Sequence, residues 1–361
     1  MSFSVSLDQG GLEYSGTGLP GLFARRRNLL SPRFWSLIRD LLRFYRASQA
    51  YGQDSELAGL TLGQLLQREG YGHAFIDDHL LPMGAAIWST PVDRMLDYPA
   101  LAFLRFCQNH GLVQLNDRPQ WRTLVGGSRS YVERIERVLQ ERGEIRLNSR
   151  IHRIVRRPGR IELEFMHGER EVFDQVVLAC HANQALSLLH NPSSDEQQLL
   201  GAFEYQRNRA VLHSDPALMP KRRAAWASWN YLAEGTRPRS REVSVSYWMN
   251  RLQHLPASHP LFVTLNPLQE PAPGAIHRSF LYDHPTFSLA ALDAQQRLWD
   301  LQGERNTWFC GAYFGYGFHE DGLQSGLAVA EALGGIPRPW ALDEPNHRIF
   351  VPTEKARKSA A

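Results

Sequence analysis

The chain has 361 residues, 43% of them hydrophobic and 21% charged, a globular composition with room for two domains and a sizeable core. Its 40 basic residues, all arginine except Lys221, Lys355 and Lys358, are dispersed among 37 acids for a net charge of +3, which excludes the basic stripe expected of a nucleic-acid binder. No apolar run approaches the roughly 20 residues that span a bilayer, and the start, MSFSVSLDQGG, lacks a secretion signal. Cys107, Cys180 and Cys310 have no metal-ligand spacing and no even count, so the expectation is a cytoplasmic protein without a metal site.

In chain order, residues 1–15 read as a hairpin, FSVSL and LEYSG around the turn DQGG. Ser31 as cap and Pro32 at the first helical position then open a helix. Phe34, Leu37, Ile38, Leu41, Leu42 and Tyr45 share one of its faces, and Arg33, Arg39, Arg43 and Arg46 fill much of the rest. Two readings stand for residues 31–46: a surface helix packed on its own domain, or a basic amphipathic helix at an anionic membrane or over a lipid substrate. Residues 60–90 predict two helices and a turn, with Thr61 as cap and Gly70 as stop. Pro91 precedes a further helix, LDYPALAFLRFCQNHG. Residues 121–141 predict a turn and a helix, and residues 145–180 a series of short strands with turns at Pro158-Gly159 and His167-Gly168. Residues 204–285 are strand-rich and aromatic. An amphipathic helix near 288–301 leads to the strand NTWFCGAYF, a glycine-rich loop and a closing helix. The pattern is α/β with α+β character.

Four stretches carry candidate chemistry. Gly126-Gly127-Ser128 stands before the helix SYVERIERVL, where the glycines allow a tight turn or a close ligand approach and Ser128 can cap. IRLNSRIHRI reads as strand, turn and strand, with Ile151 and Ile154 on the buried side. DQVVLACHANQALSLL is a continuous apolar strand ending at Ala179, Cys180 and His181, and the carboxyl end of such a strand is where ligands sit in open α/β sheets. GAYFGYGFHEDGLQSGLAVAEALGG, residues 311–335, is a bare loop running into a helix that Asp321 and Gly322 are expected to begin. Gly322, Gly326 and Ala330 lie on one face of that helix, able to press on a sheet or a flat ring.

In this order and spacing the four stretches resemble the flavin-containing amine oxidase superfamily, over about residues 121–200 and 300–335. LVGGSRSYVERI is similar to the family's GG-S segment, RIHRI to its V-x-x-I strand, VVLACHANQAL to its V-I-x-A-x-P turn, and FCGAYFGYGFHEDGLQSGLAVAEAL to its terminal motif. With LLPMGAAIWST, DRPQWRT, ASWNY and YWMNRLQ, the whole chain looks closest to bacterial NAD/FAD-binding flavoproteins related to the flavoprotein part of plant cyclopropane fatty acid synthases. The resemblance implies a two-domain FAD-dependent oxidoreductase fold: a discontinuous Rossmann-like FAD domain, residues 121–203 and 296–345, and a substrate domain with mixed sheet and helices, residues 1–120 and 204–295, followed by a tail, 346–361.

It also implies FAD-facing roles for Gly126, Gly127, Ser128, Ile151, Ala179, Cys180, Gly311, Ala312, Asp321, Gly322 and Leu323. Gly311 and Ala312 would approach the ribityl-phosphate part, and the backbone at 321–323 the pyrimidine side of the ring. Trp88, Tyr247, Trp248, Tyr313, Tyr316 and His319 are candidate substrate-cavity residues. The family opens with a strand–G-x-G-x-x-G–helix unit; no such motif is expected anywhere in this chain, whose first residues resemble the stretch after it, so that unit is expected upstream of Met1. The lysine that amine oxidases place near flavin N5 has no counterpart in RNRAVLHSD, which shifts the expectation from amine oxidation to hydride transfer from an apolar, lipid-like small molecule. The alternative is a non-catalytic or membrane-associated accessory protein without flavin.

Overall fold

A computed structural model describes residues 2–88, 92–114, 119–235 and 241–352; Pro91 lies outside them. The described strands are β1 (Phe3–Leu7), β2 (Leu12–Ser15), β3 (Ile151–Arg157), β4 (Arg160–Phe165), β5 (Arg170–Phe173), β6 (Val176–Leu178), β7 (Glu204–His213), β8 (Trp229–Glu234), β9 (Glu242–Trp248), β10 (Phe262–Leu265), β11 (Ile276–Thr286) and β12 (Thr307–Phe309). The chain forms two compact units, Met1–Gly143 with Tyr205–His284 and Glu144–Glu204 with Pro285–Ala361. Each is discontinuous in sequence, and residues 121–143 group with the first.

The first unit is built on a seven-stranded mixed sheet ordered β11-β7-β10-β9-β8-β1-β2. β1 and β2 form the expected hairpin, and its turn takes left-handed backbone at Asp8, Gln9 and Gly10. β1 also pairs in parallel with β8, from Phe3↔Trp229 to Leu7↔Ala233. Across the sheet runs a buried polar ladder. Ser4 donates to Asn230 Oδ1 at 2.8 Å, Asn230 Nδ2 donates to the Ser246 carbonyl at 2.9 Å, Ser246 and Thr264 hydroxyls meet at 2.8 Å, and His213 Nε2 meets Thr264 Oγ1 at 2.7 Å. Every buried polar group there has a partner, which is what makes such a row tolerable in a core.

The helix Pro32–Gln53 starts where the sequence places it, Ser31 Oγ accepting the Phe34 N–H at 3.3 Å. It lays Phe34, Leu37 and Phe44 into the core, where Phe34 meets Tyr14 edge-on and Phe44 meets Phe75 at 5.4 Å. Its apolar face is therefore covered by its own unit. Two of its arginines turn back as well: Arg33 pairs with buried Asp78 at 2.7 Å and Arg43 sits 4.0 Å over the Tyr71 ring. No helix among the described residues is long and apolar enough to cross a membrane.

After the capped helix Leu62–Arg68, residues 73–88 form one helical run rather than a simple second helix: His73–Phe75, a π-helical turn Ile76–Leu80, and Leu81–Trp88. The run is buried nearly all round: Ile76, Asp78, His79 and Leu80 in the π-helical turn, and Leu81–Ala86 and Trp88 after it.

The second unit contains the antiparallel meander β3-β4-β5 and a two-stranded parallel sheet, β12-β6. Gly159 and Gly168, at φ 74° and 92°, make the meander's turns where expected. IRLNSRIHRI yields one strand instead of two, because Asn148 takes left-handed backbone (φ 58°) and residues 147–148 turn into β3. The unit's main buried charge cluster joins its parts. Glu196 is almost fully buried, Arg156 contacts both of its carboxylate oxygens, and Arg305 reaches Oε2 at 2.7 Å.

Candidate functional site

β6 and β12 run parallel in register, Thr307↔Val176 to Phe309↔Leu178, and Cys310 N–H continues the ladder to the Leu178 carbonyl at 3.0 Å. Their carboxyl ends thus bring Ala179-Cys180 and Cys310-Gly311-Ala312 side by side, joining two of the four sequence stretches. Strand ends of this kind are the ligand-facing edge of open α/β sheets, since loops there are free to vary over a fixed scaffold. Ala179 is exposed and Cys180 half-buried. Burial and the neighbouring Cys180 push the Cys310 thiol up to about 11, so it is protonated and unreactive at neutral pH.

Gly311 is held closely on two sides. A Cβ there would stand 2.8 Å from Tyr313 Cε1 and 3.3 Å from the Cys180 carbonyl oxygen. Its N–H donates to Ser325 Oγ at 3.0 Å, which pins the loop to the helix His319–Ala332. That helix begins two residues before the expected Asp321. Asp321 is consequently its third residue, and its carboxylate accepts the Phe318 N–H at 2.8 Å and the Arg348 guanidinium at 2.6 Å while wholly buried. The N–H groups of Asp321 and Gly322 both bond the Phe318 carbonyl, so the helix start uses them internally. Gly322 lies against the 311–312 backbone, at 3.7 Å from Ala312 N, whereas a Cβ on Gly326 would meet nothing within 4 Å. Leu323 is 55% exposed.

Ile151 is half-buried at the start of β3, on the separate meander of the same unit. Gly126, Gly127 and Ser128 belong to the first unit, before the helix Arg129–Arg142. Both glycines have positive φ, 82° and 73°, as a tight turn requires. Ser128 makes no capping bond; Ser130 instead donates to the Gly127 carbonyl at 2.9 Å. No residue of that helix is buried.

The cavity candidates separate. Tyr313 is buried between Phe203 and Phe314, Tyr316 lies under the Arg348 guanidinium, and His319 is exposed at the helix start, all in the second unit. In the first unit, Trp88 packs into Tyr98, Phe103 and Phe106, the Tyr247 hydroxyl donates to the Ala86 carbonyl at 3.4 Å, and Trp248 packs on Trp226. None of these three lines a cavity of about 230 Å³ in that unit, which Phe3, Tyr14, Leu41, His79, Met83 and Trp229 help to enclose.

The spacing G-x-G-x-x-G does occur once, at Gly16-Thr17-Gly18-Leu19-Pro20-Gly21. It follows β2, an antiparallel edge strand, and leads into a single helical turn, Leu19–Leu22. A dinucleotide cradle needs a parallel strand and a long helix whose N-terminus meets the pyrophosphate, so this local context does not make one.

Parallel strand ends under a bare loop in one unit, and a broad mixed sheet with helices in the other, define the two-domain fold of FAD-dependent oxidoreductases. The chain belongs to the flavin-containing amine oxidoreductase family, whose model matches residues 17–214 and whose members bind FAD. That match reaches well ahead of the sequence resemblance, into residues 17–120. No curated protein matches the chain. Among solved structures, it is similar to a protein described as a protoporphyrinogen oxidase from Exiguobacterium sp. 255-15, at 19% identity and TM-score 0.60, covering 92% of this chain and 80% of that one. It is also similar to a fatty acid isomerase of P. acnes that produces CLA (16%, TM-score 0.56, 92% and 79%) and to a putrescine oxidase (11%, TM-score 0.59, 92% and 80%). At these identities the likeness is one of fold.

Proposed function

We propose that the protein is an FAD-dependent oxidoreductase that transfers hydride from an apolar, lipid-like small molecule to the flavin. The observation that carries this reading is the pairing of the β6 and β12 carboxyl ends around Gly311, a position where the Tyr313 ring and the Cys180 carbonyl leave no room for a side chain. Bound FAD supplies the hydride acceptor. The chain's own part is positional. Ser325 fixes the Gly311 amide, the Asp321–Arg348 pair fixes the first turn of the following helix, and open Gly326 leaves the small-residue face of that helix accessible to a flat group. On this reading Ala179, Cys180, Gly311, Ala312, Gly322 and Leu323 line the flavin. Family membership supports the cofactor, and the missing lysine counterpart in residues 207–215 supports an apolar over an amine substrate.

Titration of the full-length protein with FAD, followed by flavin absorbance, tests the reading. A yellow, saturable complex is expected, with Gly311→Ala weakening it about tenfold or more because the new Cβ must displace the Tyr313 ring or the Cys180 carbonyl. Protein that stays colourless at saturating FAD overturns it.

A further inference from the structure

One cavity in the first unit is lined by a residue with a buried polar atom that has no partner among the described residues, His79. The cavity lies between the β1/β2/β8 edge of the sheet and neighbouring helices, and its mostly apolar lining includes Phe3, Leu37, Leu41, Met83 and Trp229 beside Tyr14, Tyr45 and His110. At about 230 Å³ it exceeds the roughly 150 Å³ apolar cavity that suffices to bind benzene. His79 belongs to the π-helical turn Ile76–Leu80, is 7% exposed, and packs between the Phe75 and Tyr14 rings.

The hydrogen bonds around it fix its tautomer. The Tyr14 hydroxyl has one proton and gives it to the Asp78 carbonyl at 2.8 Å. Its 2.9 Å contact with His79 Nδ1 therefore needs the proton from the ring, and Tyr14 oxygen accepts. Burial holds the His79 imidazole down at about 4, so it is neutral, and burial together with the Asp78 charge keeps the Tyr14 phenol protonated. Nδ1 then carries the only ring proton. Nε2 is left as a bare lone pair, and it has no hydrogen-bond partner among the described residues. A buried acceptor without a donor costs stability unless something satisfies it, and here the residue that bears it faces a cavity able to admit a ligand.

We infer that this cavity binds an apolar molecule of medium chain length bearing one neutral hydroxyl, whose O–H donates to His79 Nε2. The apolar wall takes the hydrocarbon part by surface burial, and the single acceptor sets its orientation. A carboxylate cannot donate to Nε2 and is rejected, and an ammonium is penalised by loss of hydration against an uncharged wall. The inference rests on the oxidoreductase reading only in calling this ligand a substrate; binding itself requires no flavin.

Calorimetric titration of the flavin-free protein compares 1-octanol with its isomer 1-methoxyheptane, which has the same atoms but no O–H, and with octanoate. The alcohol is expected to bind about tenfold or more tighter than the ether, with octanoate weakest. His79→Phe, which keeps a flat ring of similar volume, is expected to bring alcohol and ether within about twofold of each other while leaving the ether's affinity in place. Where that variant does not fold, Tyr14→Phe serves instead, since losing the acceptor for Nδ1–H frees the tautomer and shrinks the preference. Equal affinity for the two isomers in the wild-type protein, no binding of either, or a preference for octanoate overturns the inference. Failure of FAD uptake would leave an alcohol preference standing, and loss of that preference would leave FAD uptake standing, so the two readings fail separately.

Discussion

The two units are held by different physics. The first packs large aromatic side chains against a wide sheet: Phe34, Phe44, Phe75 and Phe103 are all essentially inaccessible. The second has smaller sheets, the meander β3-β4-β5 and two parallel strands of three residues each, and beside apolar residues such as Phe309 and Phe314 it buries ion pairs that link distant parts of its chain, Glu196 with Arg156 and Arg305, and Asp321 with Arg348. An apolar core degrades gradually when trimmed, because neighbours relax into the gap. A buried ion cluster does not, because removing one member strands the charge of the others. Around Glu196 the geometry of the unit presenting the strand ends therefore depends on charge balance as well as on packing.

That contrast can be broken from either side. Glu196→Ala leaves the Arg156 guanidinium, itself 2% exposed, without its anion and should cost about 3–5 kcal/mol in urea unfolding, whereas replacing Arg156 and Glu196 together by Met and Leu should cost far less. Phe44→Ala should cost a similar ~3–5 kcal/mol, read by hydrogen exchange as loss of protection in the helix Pro32–Gln53 first.

Acid sharpens the comparison. Burial alone would push the Glu196 carboxyl up, but hydrogen bonds from Arg156 and the Ser193 N–H, with the charges of Arg156 and Arg305, hold it below its usual value. A lowered folded value means a contribution present above the unfolded value of about 4.3 and lost as pH falls through the folded one. Unfolding midpoints measured from pH 6 to pH 3 should fall for the wild type and fall less for Glu196→Gln. The smallest effect expected is that of Ser31→Ala, which removes the cap on Phe34 N–H and should lower stability by about 1 kcal/mol, seen as a modest drop in Tm.

Local signals in the sequence were legible where local physics decides. The β1–β2 hairpin, the Ser31-Pro32 helix start, the glycine turns of the meander and the strand that leads to Cys180 all follow from short-range pattern. The start of the last helix was misjudged by two residues because Asp321 looks like an N-terminal residue, whereas its carboxylate reaches back to the Phe318 N–H from the third position. The Glu196 cluster was invisible for a different reason: its partners stand 40 and 109 residues away, and an acid early in a helix ordinarily faces water. Nothing within IDDHL marks His79, because only its burial in the fold separates it from a surface histidine. The G-x-G-x-x-G spacing at Gly16–Gly21 warns of the converse, a pattern without its context.

The polar ladder has a consequence for how the chain is made. β1 sits between β2 and β8, and Ser4 meets Asn230 across 226 residues of sequence. At ribosomal rates of about 5–20 residues per second, the first strand waits roughly 10–45 s for its parallel neighbour to be synthesised. Throughout that interval the β1–β2 hairpin is a two-stranded fragment with an open edge, marginal by itself and ready to pair with the wrong strand. Ser4, which later completes the ladder, and Ser6, which donates to Glu13 within the hairpin, keep β1 partly polar in the meantime, and a strand slipped by one residue would turn Ser4 to the opposite face and lose Asn230. The same hydroxyls that satisfy the finished core thus act earlier as proofreaders of strand pairing on the growing chain.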